Sequence, residues 1–186
     1  GGFAMTYTSG TTGRPRGVRR PSGSVPADVL ADSFTGFLRL FGIEDEGVHL
    51  VVAPMYHTAV LNWCLYSLHL GHTVVLMDKW TAEGMLQRIA RHRVTTTHMV
   101  PTQMVRLLGL PDEVKASYDV SSLRQAVHGA APCPIPIKRD LLAWWGPVVY
   151  EYYAATEGGG TMVGPREWRE RPGTVGRPWQ GADIAI

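Results

Sequence analysis

The chain has 186 residues, a formal net charge of +2, 45% apolar and 18% charged side chains. That balance excludes a disordered chain and allows one globular domain with a core, and so small a net charge argues against a dedicated nucleic-acid binder. Its two cysteines, Cys64 and Cys133, are too few and too far apart for a disulfide framework or a zinc site.

In chain order, "FAMTYTS" (3–9) reads as a strand entering the glycine-rich run "GTTGRPRG". Over 26–41, Leu30, Phe34, Phe37, Leu38 and Phe41 recur at three- and four-residue steps, which predicts a helix with one buried stripe. A strand follows at 49–55, ending near Pro54. After it come an apolar helix over 58–70 stopped by Gly71, and a strand over 72–77. Thr81 is placed to cap a helix carrying Met85, Leu86, Ile89 and Ala90, and 95–100 is strand-like. Pro101 suits the first turn of a helix to about 110. A polar stretch leads to a strand-like run at 123–130, a helix over 136–145 and a strand over 148–154. Repeated strand–helix alternation predicts an α/β fold of mainly parallel β-sheet covered by helices. The chain opens just before a strand and stops inside the β-like "GADIAI", which reads as a fragment. No leader segment is recognisable, and the run "AVLNWCLYSLHLG" is too short and polar to cross a bilayer. A cytoplasmic location is expected, with both thiols free.

The loop after the first strand draws its chemistry from Thr8, Ser9, Gly10, Thr11, Thr12, Gly13, Arg14, Arg16 and Gly17. Glycines let backbone amides turn inward on an anion, the hydroxyls add donors, and the arginines add charge. The run matches neither the Walker pattern nor G-x-G-x-x-G, so from the residues alone a phosphate cradle and a plain loop stand about even.

"YTSGTTGRPRGV" resembles the signature loop of the adenylate-forming superfamily, which includes acyl-CoA synthetases, luciferases and peptide-synthetase adenylation domains. "APMYHTA" (53–59), "HGAAPCP" (128–134), "YEYYAATEGGG" (150–160) and "PGTVGRP" (172–178) match in the same order. The flanking stretches most resemble bacterial fatty-acyl-CoA synthetases and related CoA ligases. The resemblance implies ATP-dependent activation of a carboxylic acid to an acyl-adenylate, release of pyrophosphate, and transfer of the acyl group to coenzyme A. A fatty or similarly hydrophobic acid is expected.

By the same resemblance, the loop from Thr8 to Gly17 clamps the β- and γ-phosphates. Thr156 hydrogen-bonds a phosphate, and Glu157 holds Mg²⁺. Tyr153, with Tyr152 beside it, and the small residues Gly129, Ala130 and Ala131 form the adenine site. Strand alternation sends the two tyrosines to opposite faces, so one of them is core. His57 is implied as a gate near the reacting carboxylate, and the other six histidines read as structural. A carboxylic acid is already ionised at neutral pH, so His57 has no proton to abstract from it. Asn62, Trp63, Tyr66 and Val100 are candidates to line the acid pocket. Two departures from the family pattern stand out: Arg16 occupies a position where many relatives carry lysine, and Ala154 replaces a common glycine.

On this view residues 1–186 are part of an AMP-binding (adenylation) domain. The N-terminal part of the large domain, a ribose-binding aspartate and a mobile C-terminal domain with its catalytic lysine lie elsewhere, and the isolated chain is expected to be inactive or slow. The alternatives are an acyl-AMP ligase that loads a carrier protein and a non-catalytic nucleotide-binding relative. Nucleic acid is not expected as a partner, and a homo-oligomer is left open.

Overall fold

The structure is a computed structural model that describes residues 6–8, 13–18, 26–155, 159–179 and 181–184. Its first two strands, β1 (Thr6–Thr8) and β2 (Arg16–Val18), form an antiparallel pair of their own, with Thr8 opposite Arg16. There follow α1 (Ala27–Arg39), β3 (Val48–Val51), α2 (Thr58–His69), β4 (Thr73–Leu76), α3 (Ala82–His92) and β5 (Thr96–Met99). The chain goes on through α4 (Pro101–Leu108), α5 (Asp112–Ala116), β6 (Gln125–His128), α6 (Ile135–Trp145) and β7 (Val149–Ala154). It closes with β8 (Gly160–Val163), α7 (Pro165–Glu170) and β9 (Arg177–Pro178).

Seven strands make one sheet in the order β4-β3-β5-β6-β7-β8-β9. The five strands from β4 to β7 are parallel, and β8 and β9 add antiparallel pairings. Every residue of β5 and β6 is buried, as a parallel sheet covered on both faces requires. One face packs Met85, Leu86 and Ile89 of α3, Met104 and Leu107 of α4, and Leu141 and Leu142 of α6. The other packs Leu38 of α1, Phe41, Ile43, and Trp63 of α2. Thr81 caps α3 as its position predicts: its Oγ1 accepts from the Gly84 amide at 3.0 Å.

The α/β class and the helices α1 to α4 and α6 follow the sequence pattern to within about two residues, the usual uncertainty of helix ends. Four differences have physical causes. The strand expected to reach residue 55 stops at Val51, since Val52 gives its carbonyl to a side chain instead of a neighbouring strand. The run 123–130 contributes only Gln125–His128, because the chain turns at Ala130, whose φ is 69°. The pattern does not single out β2, α5, β8, α7 and β9, of which β2 and β9 are only three and two residues long. Finally, residues 181–184 of the β-like closing run carry no strand.

Candidate active site

Because β3, β5, β6 and β7 are parallel, their carboxyl ends open at one end of the sheet. Ligands of open α/β sheets bind there. The first of these ends leads through Val52 to His57, the second into Val100, the third into Gly129–Ala131, and the fourth carries Tyr153. His57 is exposed at the N-cap of α2, where its carbonyl accepts from the Leu61 amide at 2.9 Å. Its ring lies 4.9 Å from that of the exposed Tyr56. Buried Gln103 fastens two of the strand ends together: its Nε2 donates to the Val52 carbonyl at 2.8 Å, and its Oε1 accepts from the Val100 amide at 3.0 Å.

Between β6 and β7 the backbone makes a shallow shelf of small residues. A Cβ on Gly129 would lie 2.8 Å from Cε1 of Tyr152, so only glycine fits at that point. Ala130 holds a left-handed conformation, which costs an L-residue about 1 kcal/mol or more. Ala130 and Ala131 are exposed. The two tyrosines of β7 part company as strand alternation demands. Tyr152 turns inward, with its hydroxyl 3.0 Å from His98 Nε2 and its ring among Phe41, Trp63 and His98. Tyr153 is 65% exposed and presents a free aromatic ring at the strand end. Tyr152 is therefore the core member of the pair, and Tyr153 the one accessible to a ligand. Across the β7–β8 ladder, Gly160 faces Ala154. A Cβ there would overlap the Trp179 ring and the Tyr153 carbonyl.

The ground beneath the shelf is dry and ionic. Lys138 of α6 is fully buried, with Nζ 2.7 Å from Oε2 of buried Glu151 and 5.0 Å from the centre of the Trp168 ring. Burial lowers the Lys138 pKa, and Glu151 opposes that effect. His128 Nε2 stands 3.5 Å from the same Oε2. Burial, the Lys138 charge and His98 lower the His128 pKa to about 2. Burial also lowers His98 to about 4; His49 falls to about 3 from burial, with His98 and His72 nearby. Neutral imidazoles in the core fit the structural role expected of His49, His98 and His128; His72 is buried too, whereas His69 and His92 lie at the surface. Cys64 and Cys133 are free, and burial, with Glu151 nearby, pushes the Cys133 thiol up to about 11, which keeps it protonated.

Of the expected phosphate loop, the structure describes only its edges. Gly13, Arg14, Arg16 and Gly17 are exposed, and Gly13 has φ 81°. Thr8 pairs through its backbone with Arg16. The strand before this run lies outside the main sheet: Thr6–Thr8 pairs antiparallel with Arg16–Val18 in a two-stranded sheet. Ser9, Gly10, Thr11, Thr12, Thr156 and Glu157 lie outside the described residues. Among the pocket candidates, Trp63 is core, packed on Phe37 and Phe41, and Tyr66 stacks on Phe34 at 4.6 Å. Asn62 is half-buried.

The family profile described as AMP-binding enzyme matches residues 3–186. The chain belongs to that family. A 4-coumarate–CoA ligase-like protein of Arabidopsis thaliana is 32% identical, over 98% of this chain and 33% of its own length. A long-chain-fatty-acid–CoA ligase of Bacillus subtilis is 30% identical, over 98% of this chain and 32% of its own. The solved o-succinylbenzoate coenzyme A synthetase of Bacillus subtilis, in complex with ATP and magnesium ion, superposes with a TM-score of 0.76 at 29% identity. That match covers 95% of this chain and 35% of the synthetase. The chain thus spans about a third of the length of these AMP-binding relatives. Sequence motifs pointed to the shelf, to Tyr153 and to His57, whereas Gln103, Lys138, Glu151 and Gly160 emerge only from the fold. For Lys138 a signal existed: it begins a helical stripe with Leu141, Leu142 and Trp145, all buried, and a lysine in such a stripe requires a buried acid.

Proposed function

We propose that the protein containing this chain activates a hydrophobic carboxylic acid with ATP, forming an acyl-adenylate and pyrophosphate, and then passes the acyl group to coenzyme A. The observation that carries this reading is the convergence of His57, the Gly129–Ala131 shelf and exposed Tyr153 at the carboxyl end of one parallel sheet. A flat base stacks on Tyr153 from one side and meets Ala130 and Ala131 on the other, where no bulky side chain obstructs it. The attacking carboxylate and the triphosphate are both anions, so their approach has to be screened. Exposed Arg14 and Arg16 supply positive charge for the β- and γ-phosphates, and the hydroxyls and amides of Ser9–Gly13 supply donors. Thr156 donates to a phosphate, and Glu157 holds Mg²⁺, which offsets phosphate charge at the departing pyrophosphate. His57, at the open N-terminus of α2, stands as a gate between acid and nucleotide, not as a base. The acids named for the relatives, 4-coumarate and long-chain fatty acid, support an apolar carboxylate as the substrate.

The test is carboxylate-dependent exchange of labelled pyrophosphate into ATP by the intact protein, across short-chain, long-chain and aromatic acids. Exchange with one class establishes adenylation and identifies the acid. ATP binding without exchange for any acid would point to a non-catalytic nucleotide binder, and no ATP binding at all would remove the nucleotide reading.

A further inference from the structure

Two elements reach the nucleotide shelf from its two ends. Upstream, β6 delivers it, and there His128 stands opposite Glu151 in the ladder with β7. Downstream, the chain from Gly129 runs through Pro132 and Pro134 into α6, whose fourth residue is Lys138. Lys138 reaches back to β7 and donates to the same Glu151 at 2.7 Å. Glu151 therefore meets both ends of the shelf: β6 through the backbone ladder that sets His128 beside it, and α6 through the Lys138 ion pair. Glu151 itself lies two residues before Tyr153, so the other wall of the site is tied to the same point.

The chemistry of this cluster exceeds what packing needs. Lys138 is 0% exposed, in a stripe whose other members are Leu141, Leu142 and Trp145. Replacing a buried ion pair by apolar groups of similar volume is often neutral or stabilising, so a pair is a poor choice for stability alone. Its distinctive property is direction: a 2.7 Å charge-assisted bond fixes the distance between α6 and β7, which apolar contacts would leave adjustable. Among the described residues neither ring nitrogen of His128 has a hydrogen-bond partner, although the side chain is fully buried. Next to these groups sits Ala130, held at φ 69°, a conformation that persists only where its surroundings impose it.

We propose that Lys138 and Glu151 are positioning residues for the nucleotide: their ion pair staples α6 to β7 and holds Gly129–Ala131 and Tyr153 at the separation that accepts a flat base. The inference rests on the nucleotide reading of this site. Neither side chain touches ligand, and both act through the shelf and Tyr153.

The measurement is ATP affinity and the KM-against-kcat split of pyrophosphate exchange in the intact protein, for wild type, Lys138→Met, Lys138→Arg and the Lys138→Leu/Glu151→Leu double variant. Lys138→Met is expected to raise Kd and KM for ATP about ten-fold, mid-range for groups coupled through shared contacts, while kcat at saturating ATP changes less than about three-fold. Lys138→Arg, which keeps the charge and a donor, is expected to recover most of the affinity. Should Lys138→Met fail to fold, the double variant decides, since an apolar pair leaves no uncompensated charge. A folded double variant that still binds ATP about ten-fold more weakly supports positioning; wild-type affinity in it would reduce the pair to a replaceable structural contact and overturn the proposal. Wild-type protein that binds no ATP would overturn the nucleotide reading itself, a failure distinct from normal binding by every variant.

Discussion

Acidification should destabilise this domain well before its carboxylates titrate. His49, His98 and His128 are carried into the core uncharged, with pKa values held near 3, 4 and 2 against an ordinary 6.5. Glu151, the acid beside His128, is already paired with Lys138 and offers the imidazolium little relief. Each folded-state value is depressed, so the stabilisation is complete above the unfolded value of 6.5. As pH falls below it, the unfolded chain takes up protons that the folded chain refuses. At pH 5.5 the linkage amounts to about 1.4 kcal/mol per histidine and about 4 kcal/mol for the three together. That is a large part of a typical total of about 5–15 kcal/mol. Urea unfolding of the intact protein at pH 7.5 and pH 5.5 reads this directly; with a slope of about 2 kcal/mol per molar, the midpoint drops by about 2 M. Substituting His49→Gln should remove about one third of the pH dependence. Midpoints that agree within about 0.3 M at the two pH values would refute the reasoning, because the three imidazoles would then be protonated in the folded state.

Three further outcomes follow from the geometry. Tyr153→Ala should weaken ATP binding by about 1–3 kcal/mol, the usual worth of aromatic–base stacking, with an unchanged melting temperature because the ring is already exposed; calorimetric titration and thermal melting separate the two effects. Gln103→Leu leaves the Val52 carbonyl and the Val100 amide without their side-chain partner and should cost about 2–4 kcal/mol in chemical denaturation. Gly160→Ala should cost about 1–3 kcal/mol, because the added carbon meets the Tyr153 carbonyl and Trp179; it should also weaken ATP binding, since the strand that displays Tyr153 must shift.

The sequence reveals the fold class because its strands and helices are long enough for their periodicities to separate. The stripe Met85, Leu86, Ile89 announces α3, and Thr81 announces its start. β2 and β9, of three and two residues, leave no such trace: they are defined by their partners, not by their own side chains. For the candidate site, the motifs identify surface groups such as His57 and Tyr153, whose residue types match a known order. Supports such as Gln103 are harder to see, because a buried amide looks like any polar residue until Val52 and Val100 arrive from opposite sides. The choice between Tyr152 and Tyr153 was readable only as an alternation; which of them is core depends on Trp63, ninety positions away, and on His98.

The strand order has a consequence for how the domain comes into being. From β6 onward every strand lies beside the one made just before it, whereas β4 and β5 take the two sides of β3. A chain emerging from the ribosome can therefore extend its sheet at a single growing edge, each parallel addition waiting only for its own helical crossover. Tyr153 and Gly160 lie on the strands added near the end of that growth. On the proposed nucleotide reading, the exposed ring of Tyr153 is displayed only once β7 has joined β6, so the candidate site follows the sheet that carries it instead of seeding that sheet.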